Sequence, residues 1–352
     1  MKQTLIDPAC FQTSALQEHI GTLSSFLFTF VPGKHRITRI PHSNHYKMES
    51  NIDTRFLIIS DTHNLNFGDV EKVFKHPLPK ADVLLHCGDL TSVGGVESYK
   101  ALLELLGAID AELKLVIAGN HDLDLDKTYF ETHFDKDNDD VDGHKKAVEV
   151  MTGPLAKAAG VTYLEEGLHT FTLKNRATFT IYTSPYTPEF FDWGFAYKSD
   201  DDRFNLPQHI PLDFNFIGEN TVPDFPGVDI MMTHGPPQFI LDRNAKGENV
   251  GCKALSVATR RARPLLHCFG HIHEAYGMKE ITWKDDGGFF TEDSIETQMT
   301  MPNVYPEPSN WPIRVGKQTL MVNASIMNAE YKPTNAPWLV ELNLRREPKP
   351  DM

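Results

Sequence analysis

Residues 55–64 read RFLIISDTHN, an apolar, β-branched run that breaks into Asp61-Thr62-His63. The run 56–60 (FLIIS) is too short for a buried helix and has no polar alternation, so it reads as a strand covered on both faces. The same grammar recurs along the chain. Residues 83–87 (VLLHC) run into Gly88-Asp89, and 115–118 (LVIA) into Gly119-Asn120-His121-Asp122. Residues 228–233 (VDIMMT) run into His234-Gly235, and 265–269 (LLHCF) into Gly270-His271-Ile272-His273. Amphipathic stretches separate several of these: 96–106, with Leu102, Leu103, Leu105 and Leu106 on one broad face, and 253–263. Alternating strands and helices predict an α/β fold, whose sites lie at the carboxyl ends of its strands. Residues 319–323 and 338–342 read as two further strands. Residues 279–317, crowded with Pro302, Pro306, Pro308 and Pro312, read as an inserted surface loop.

The polar residues at the strand ends have the chemistry of metal ligands. Hard cations take carboxylate and amide oxygens, and borderline ones accept imidazole. Asp61 and His63 stand two apart on a strand end, a spacing that points both side chains one way. Asp89 follows a glycine, which lets the backbone turn and present the carboxylate. Asn120 offers a neutral oxygen, and His234, His271 and His273 complete the set. Two aspartates, one asparagine and four histidines can supply two metal sites if one carboxylate bridges them.

Each fragment has an ordinary reading too. D-x-H is expected about once by chance at this composition. It occurs twice, and Asp142-Gly143-His144, in the polar loop 135–144 with no strand before it, is taken as the chance match. Gly68-Asp69 is a decoy for Gly88-Asp89. His86 and His267, inside apolar runs, read as core histidines, and Cys87 and Cys268 as small buried hydrophobes. His35, His42 and His45 read as part of a solvated segment.

Composition excludes whole classes. The net charge of −14 opposes a protein that grips nucleic acid by its phosphates or a polybasic membrane binder. The charge is uneven: residues 1–47 carry five basic residues against two acidic ones, a net of +3, which leaves −17 for the remainder. The four cysteines, Cys10, Cys87, Cys252 and Cys268, show no C-x-x-C spacing and are too sparse for a disulfide scaffold. They predict reduced thiols and a cytoplasmic protein. The apolar run 20–31 is shorter than the roughly 20 residues a membrane span needs and lacks signal-peptide flanks.

Taken in order, Asp61-x-His63, Gly88-Asp89, Gly119-Asn120-His121-Asp122, His234-Gly235 and Gly270-His271-Ile272-His273 resemble the five blocks of the calcineurin-like metallophosphoesterase superfamily. The runs RFLIISDTHN, IAGNHDL, SPYTPEFFDWGF, THGPP, FGHIHEAYG and VNAS, with an N-x-P-like tail, are similar to its metallophosphoesterase domain-containing branch. That branch is related to class III cyclic-nucleotide phosphodiesterases. The resemblance covers roughly residues 55–343, interrupted at 279–317. It implies a four-layer αββα sandwich of two mixed β-sheets flanked by helices, with a dinuclear metal site at the strand C-terminal ends. The expected organisation is a basic leader at 1–53, a metallophosphoesterase domain at 54–345 with an inserted loop about 279–317, and a tail at 346–352.

The resemblance also implies roles. Asp61, His63 and His273 go to one metal, Asn120, His234 and His271 to the other, and Asp89 bridges both. His121 is the catalytic, non-ligand histidine, and Asp122 would orient it. The implied cofactors are two divalent ions, manganese ahead of iron or zinc. The implied chemistry is attack of a metal-bridging hydroxide on a small phosphodiester, of cyclic-nucleotide or aryl type, with His121 protonating the leaving group.

Substrate choice lies outside the ligands. The segment 182–197 is dense in aromatics, and Tyr186 and Trp193 are candidates for a wall that stacks on a base or aryl group. Asn64 is a candidate for a phosphate contact. The expected partner is a small phosphoester or nucleotide, with no nucleic acid and no membrane. The alternatives are a phosphomonoesterase or protein phosphatase on the same site, a nuclease, and a low-turnover nucleotide-binding regulatory protein.

Overall fold

In the computed structural model, residues 51–65, 79–137, 139–210, 213–285 and 291–348 are described. The readings on residues 1–47, including His35, His42, His45 and Cys10, and on Gly68-Asp69, lie outside the described residues. Strand β1 (Ile52–Ile59) begins inside the segment expected to be leader, because Ile52 and Asp53 pair with Leu344 and Asn343 near the chain's end. Its side chains alternate between two cores. Phe56 and Ile58 enter one cluster, Leu57 and Ile59 another. Burial on both faces is why the run carries no polar alternation.

Two mixed sheets follow. In the first, β1, β2 (Ala81–His86), β3 (Ala111–Val116) and β4 (Val161–Tyr163) run parallel. The second holds β5 (Gly167–Thr172), β6 (Ala177–Ser184), β7 (Ile230–Thr233), β8 (Leu266–Phe269), β9 (Gly277–Trp283), β10 (Ile295–Met301) and β11 (Gln318–Asn323). Strands β6, β7, β8 and β11 run parallel, and β5, β9 and β10 are antiparallel to their neighbours. The last strand, β12 (Trp338–Arg346), lies antiparallel to β1, and its Arg345 and Arg346 pair with Thr178 and Ala177 of β6. The two sheets are thereby joined into one hydrogen-bonded path.

Between the sheets lies the core formed by Phe56, Leu85, Ile117, Phe179, Met232 and Val322, among others. On the far side of the first sheet pack helices α1 (Val96–Gly107), α3 (Gly143–Thr152) and α4 (Pro154–Ala159), while α2 (Lys127–His133) buries no residue fully. The four leucines of α1 enter that outer core, each contributing roughly 1.5–3 kcal/mol. On the far side of the second sheet, α5 (Lys253–Ala262) sets Leu255 and Ala258 against Tyr182 and Met231. Helices, sheet, sheet and helix form the four expected layers.

The reading of 279–317 as a loop is corrected. Residues 277–283 and 295–301 form the antiparallel pair β9–β10, with β9 also paired to β11. β10 (IETQMTM) is an edge strand, exposed along most of its length, so no apolar pattern marked it. His267 is buried with Nε2 2.8 Å from Thr233 Oγ1 and Nδ1 3.1 Å from Thr259 Oγ1, and burial pushes it down to about 3. His86 is likewise pushed down to about 3 by burial, with Thr62 Oγ1 at 3.0 Å from Nε2. Cys87, Cys252 and Cys268 are unpaired and buried. The chance D-x-H is structural: Asp142 stands at the N-terminus of α3, and His144 Nδ1 lies 2.8 Å from the Asp124 carbonyl. No helix among the described residues is long and apolar enough to cross a membrane.

Candidate metal centre

All five polar clusters follow parallel strands: Asp61 and His63 after β1, Asp89 after β2, Asn120–Asp122 after β3, His234 after β7, and His271 and His273 after β8. They reach one another by sharp turns rather than by strand alternation. Asp61, His63, Asp89 and His271 have φ of 54°, 40°, 51° and 66°, a region that ordinary side chains seldom occupy. The strand-end spacing therefore misread the reason that Asp61 and His63 converge. Such strain is retained where the surroundings over-determine it. Two glycines permit the close packing. At Gly88 (φ 99°) a Cβ would stand 2.6 Å from both the Ala118 carbonyl and His234 Nδ1. At Gly270 it would collide with the Asp61 carboxylate and the Ser60 hydroxyl.

Among the described residues the donor atoms form three overlapping groups, one of which, His63, Asp89 and His121, shares a member with each of the other two. Asp61, His63 and His273 each offer one atom within 4.8 Å of the others, and so do Asp89, His234 and His271. Asp89 faces both groups: its Oδ2 lies 3.6 Å from His63 Nε2 and its Oδ1 3.3 Å from His234 Nε2. Asn120 Oδ1 lies 2.9 Å from His234 Nε2. Backbone carbonyls fix the outward ring nitrogens, Cys87 holding His234 Nδ1 at 2.9 Å and Asn328 holding His273 Nδ1 at 3.2 Å. Those bonds engage the Nδ1 proton and turn Nε2 inward, so that a metal ion displacing the Nε2 proton would meet its lone pair, the usual device for a metal-binding histidine.

The electrostatics fit divalent cations. Burial alone would raise Asp61, but the hydrogen bond and charge of His273 bring it down to about 2. Burial also opposes ionisation of Asp89, yet His234 holds it well below the carboxylate range. Reciprocally, burial would lower His234, and Asp89 lifts it to about 9. His271 is pushed down to about 3 by burial and by the charge of His234. As imidazolium, His234 and His273 balance the two ionised carboxylates, and divalent ions taking the place of those protons would keep that balance. His63 Nε2 faces His273 Nε2 at 3.3 Å, and His63 Nδ1 is buried without a hydrogen-bond partner. Imidazole nitrogens converging on one point beside a carboxylate make a donor set of the N/O kind that borderline divalent ions accept.

His121 stands beside this cluster. Its backbone N–H donates to Asp89 Oδ1 at 2.9 Å, its ring Nδ1 lies 2.8 Å from the Ser92 carbonyl, and its ring is 4.7 Å from that of His63. Trp193 covers its face at 3.9 Å between centroids. Asp122 does not touch the ring, contrary to expectation. Its carboxylate accepts four hydrogen bonds, from the N–H groups of Leu90, Thr91 and Gly119 and from the Thr91 hydroxyl. It clamps the Asp89 loop to the Asn120 loop and so sets Ser92, which holds His121. Burial and the charge of Asp89 push Asp122 up to about 7.

The other substrate candidates fare differently. A cleft of about 470 Å³ opens over the cluster, and Asp89, Asn120, His121, Trp193 and Tyr331 line it. Trp193 is therefore in place. Tyr186 does not line the cleft; it lies under the Arg203 guanidinium at 3.3 Å, and Arg203 is bound twice by Glu166 at 2.8 and 2.9 Å. Tyr186 braces the loop that carries Trp193. Asn64 is exposed and outside the cleft. Sequence reasoning missed Ser92, which acts through its backbone carbonyl, and Glu189, Asn244, Glu274 and Tyr331, which line the cleft. Glu189 and Glu274 lie inside the runs SPYTPEFFDWGF and FGHIHEAYG, and Tyr331 in the tail after VNAS, whereas Asn244 lies in none of the matched runs.

The family described as Calcineurin-like phosphoesterase matches residues 54–275. Metallophosphoesterase domain-containing protein 1 of Homo sapiens is 32% identical over 292 residues, which is 82% of this chain and 71% of the relative. Its Mus musculus counterpart gives the same identity and coverage. With these matches and the donor groups described above, the chain belongs to the calcineurin-like phosphoesterase family, in its metallophosphoesterase domain-containing branch, and so among the metal-dependent hydrolases of phosphoesters.

Proposed function

We propose that the protein is a phosphodiesterase for small phosphodiesters, of cyclic-nucleotide or aryl type, working with two divalent ions, manganese first. The observation that carries this reading is the double-faced Asp89, with one carboxylate oxygen toward His63 and the other toward His234. Asp61, His63 and His273 would hold one ion, Asn120, His234 and His271 the other, and Asp89 both. When bound, such ions supply Lewis acidity and a water that ionises near neutral pH. The residues do the rest. Asp89 accepts the backbone N–H of His121 and so fixes that loop against the donor atoms. The Ser92 carbonyl accepts from His121 Nδ1–H, so that the imidazolium form of the ring gives its Nε2 proton to the departing alkoxide and is left neutral. Trp193 keeps the imidazole from rotating and excludes water from one of its faces.

Diesters are favoured over monoesters on two grounds. The cleft is far larger than a phosphate and has an aromatic wall at Phe190 and Trp193. Glu189 and Glu274 also line it, and their negative charge opposes a dianionic monoester more than a monoanionic diester. The test is a panel of bis-aryl and mono-aryl phosphates on the manganese-loaded chain. A clear preference for the bis-aryl ester is expected. A preference for the mono-aryl ester makes the protein a phosphomonoesterase, and tight nucleotide binding with no turnover on either makes it a regulatory binder.

A further inference from the structure

Tyr331 belongs to none of the five motif blocks, yet it stands over the site. Residues 328–332 form a tight turn built by one side chain: Asn328 Oδ1 accepts the N–H groups of Glu330 and Lys332 at 2.9 and 3.1 Å. The Asn328 carbonyl accepts the Tyr331 N–H at 2.9 Å and also faces His273 Nδ1 at 3.2 Å. The turn is thereby tied to the donor cluster through a shared oxygen. Tyr331 has φ 56°, a strained conformation for a bulky residue. Its ring lies 5.1 Å from His63, 4.9 Å from His273 and 6.4 Å from His121, in edge-on geometry to all three. It nevertheless remains 56% exposed, and it lines the cleft. A ring recruited only for packing would be covered. This one is held by its backbone, touches imidazoles from three separate loops and keeps most of its surface toward the space a substrate must enter.

We propose that Tyr331 is a substrate-contacting, specificity-determining residue whose ring packs against an aromatic or apolar arm carried by the phosphoryl group. The proposal rests on the phosphoesterase reading of this site. Of the three aromatic rings other than histidines that line the cleft, Phe190, Trp193 and Tyr331, Trp193 lies against His121 at 3.9 Å between centroids, whereas Tyr331 is the one set beside His63 and His273. Trp193 holds the imidazole, and Tyr331 meets the ligand. The substrate class that follows is a phosphoester with a planar organic group close to phosphorus.

Calorimetric binding of inorganic phosphate and of phenylphosphonate to the manganese-loaded full chain tests this without turnover, because the two probes differ by the aryl arm. The wild type should bind phenylphosphonate about tenfold more tightly than phosphate, the scale of one good stacking contact. Tyr331→Ala should abolish that preference while leaving phosphate affinity and metal content unchanged, and Tyr331→Phe should retain it. A preference that survives in Tyr331→Ala, or is missing in the wild type, overturns the assignment of Tyr331 while phosphate binding leaves the site reading intact. Failure of the wild type to bind phosphate at all overturns both.

Discussion

The floor and the wall of the cleft are built by opposite means. The floor is rigid. Asp61, Asp89, Asn120, His121, His234 and His273 are all buried, and each follows a strand whose own register is fixed by a core on both sides. Glycines that admit no Cβ and carbonyls that lock ring nitrogens leave these side chains one arrangement. The wall is made by loops. Phe190 is 64% exposed, and the loop is held from behind by Tyr186, Arg203 and Glu166. The contrast assigns chemistry to the floor and selectivity to the wall, and substitutions should separate the two.

The largest effect belongs to the floor. His121→Ala should lower kcat by about 10²–10⁴, the usual worth of a general acid, and keep its metals. Kinetics with elemental analysis decides it; turnover like that of the wild type removes His121 from the mechanism. Asp122→Asn should lower kcat by about 10–100-fold, as loss of a supporting shell does, since an amide cannot accept all four donors. If Asp122 instead only stabilises the fold, the melting temperature will fall with kcat intact.

The wall should respond differently. Trp193→Ala is expected to cost about tenfold in kcat/KM for a bis-aryl ester, by losing stacking at His121. An effect as large as that of His121→Ala would erase the division of labour.

A further effect falls on stability and leaves the division of labour in the cleft untouched. His267 is a core histidine held at about 3, below the ordinary imidazole range. The unfolded chain therefore binds the extra proton first. Stability present above about pH 6.5 is lost as pH falls toward about 3, at about 1.4 kcal/mol per pH unit for each such group. His86, also at about 3, adds to this slope. Urea midpoints measured across that range should show a shallower slope in His267→Gln, and an equal slope would mean that His267 is not held neutral.

The same contrast explains what could be read from the sequence. The floor was legible because every member follows an apolar run, and an α/β sheet puts such positions together. Asp61, Asp89 and His234 needed no knowledge of loops. The role of Asp122 was not legible, since adjacency to His121 suggested a contact that the turn prevents. Tyr186 and Trp193 lie seven residues apart in one aromatic segment, and nothing in that spacing tells which faces the cleft. Tyr331 reaches the site from a distant turn organised by Asn328, so only the fold brings it to His273. β10 was missed because an exposed edge strand carries no apolar signature.

The central claim is that Asp89 joins two metal positions. Elemental analysis of the manganese-loaded wild type and Asp89→Asn, after removal of unbound ions, tests it most directly. The account predicts two ions per chain in the wild type and one or none in the variant. Two ions retained in Asp89→Asn would contradict it.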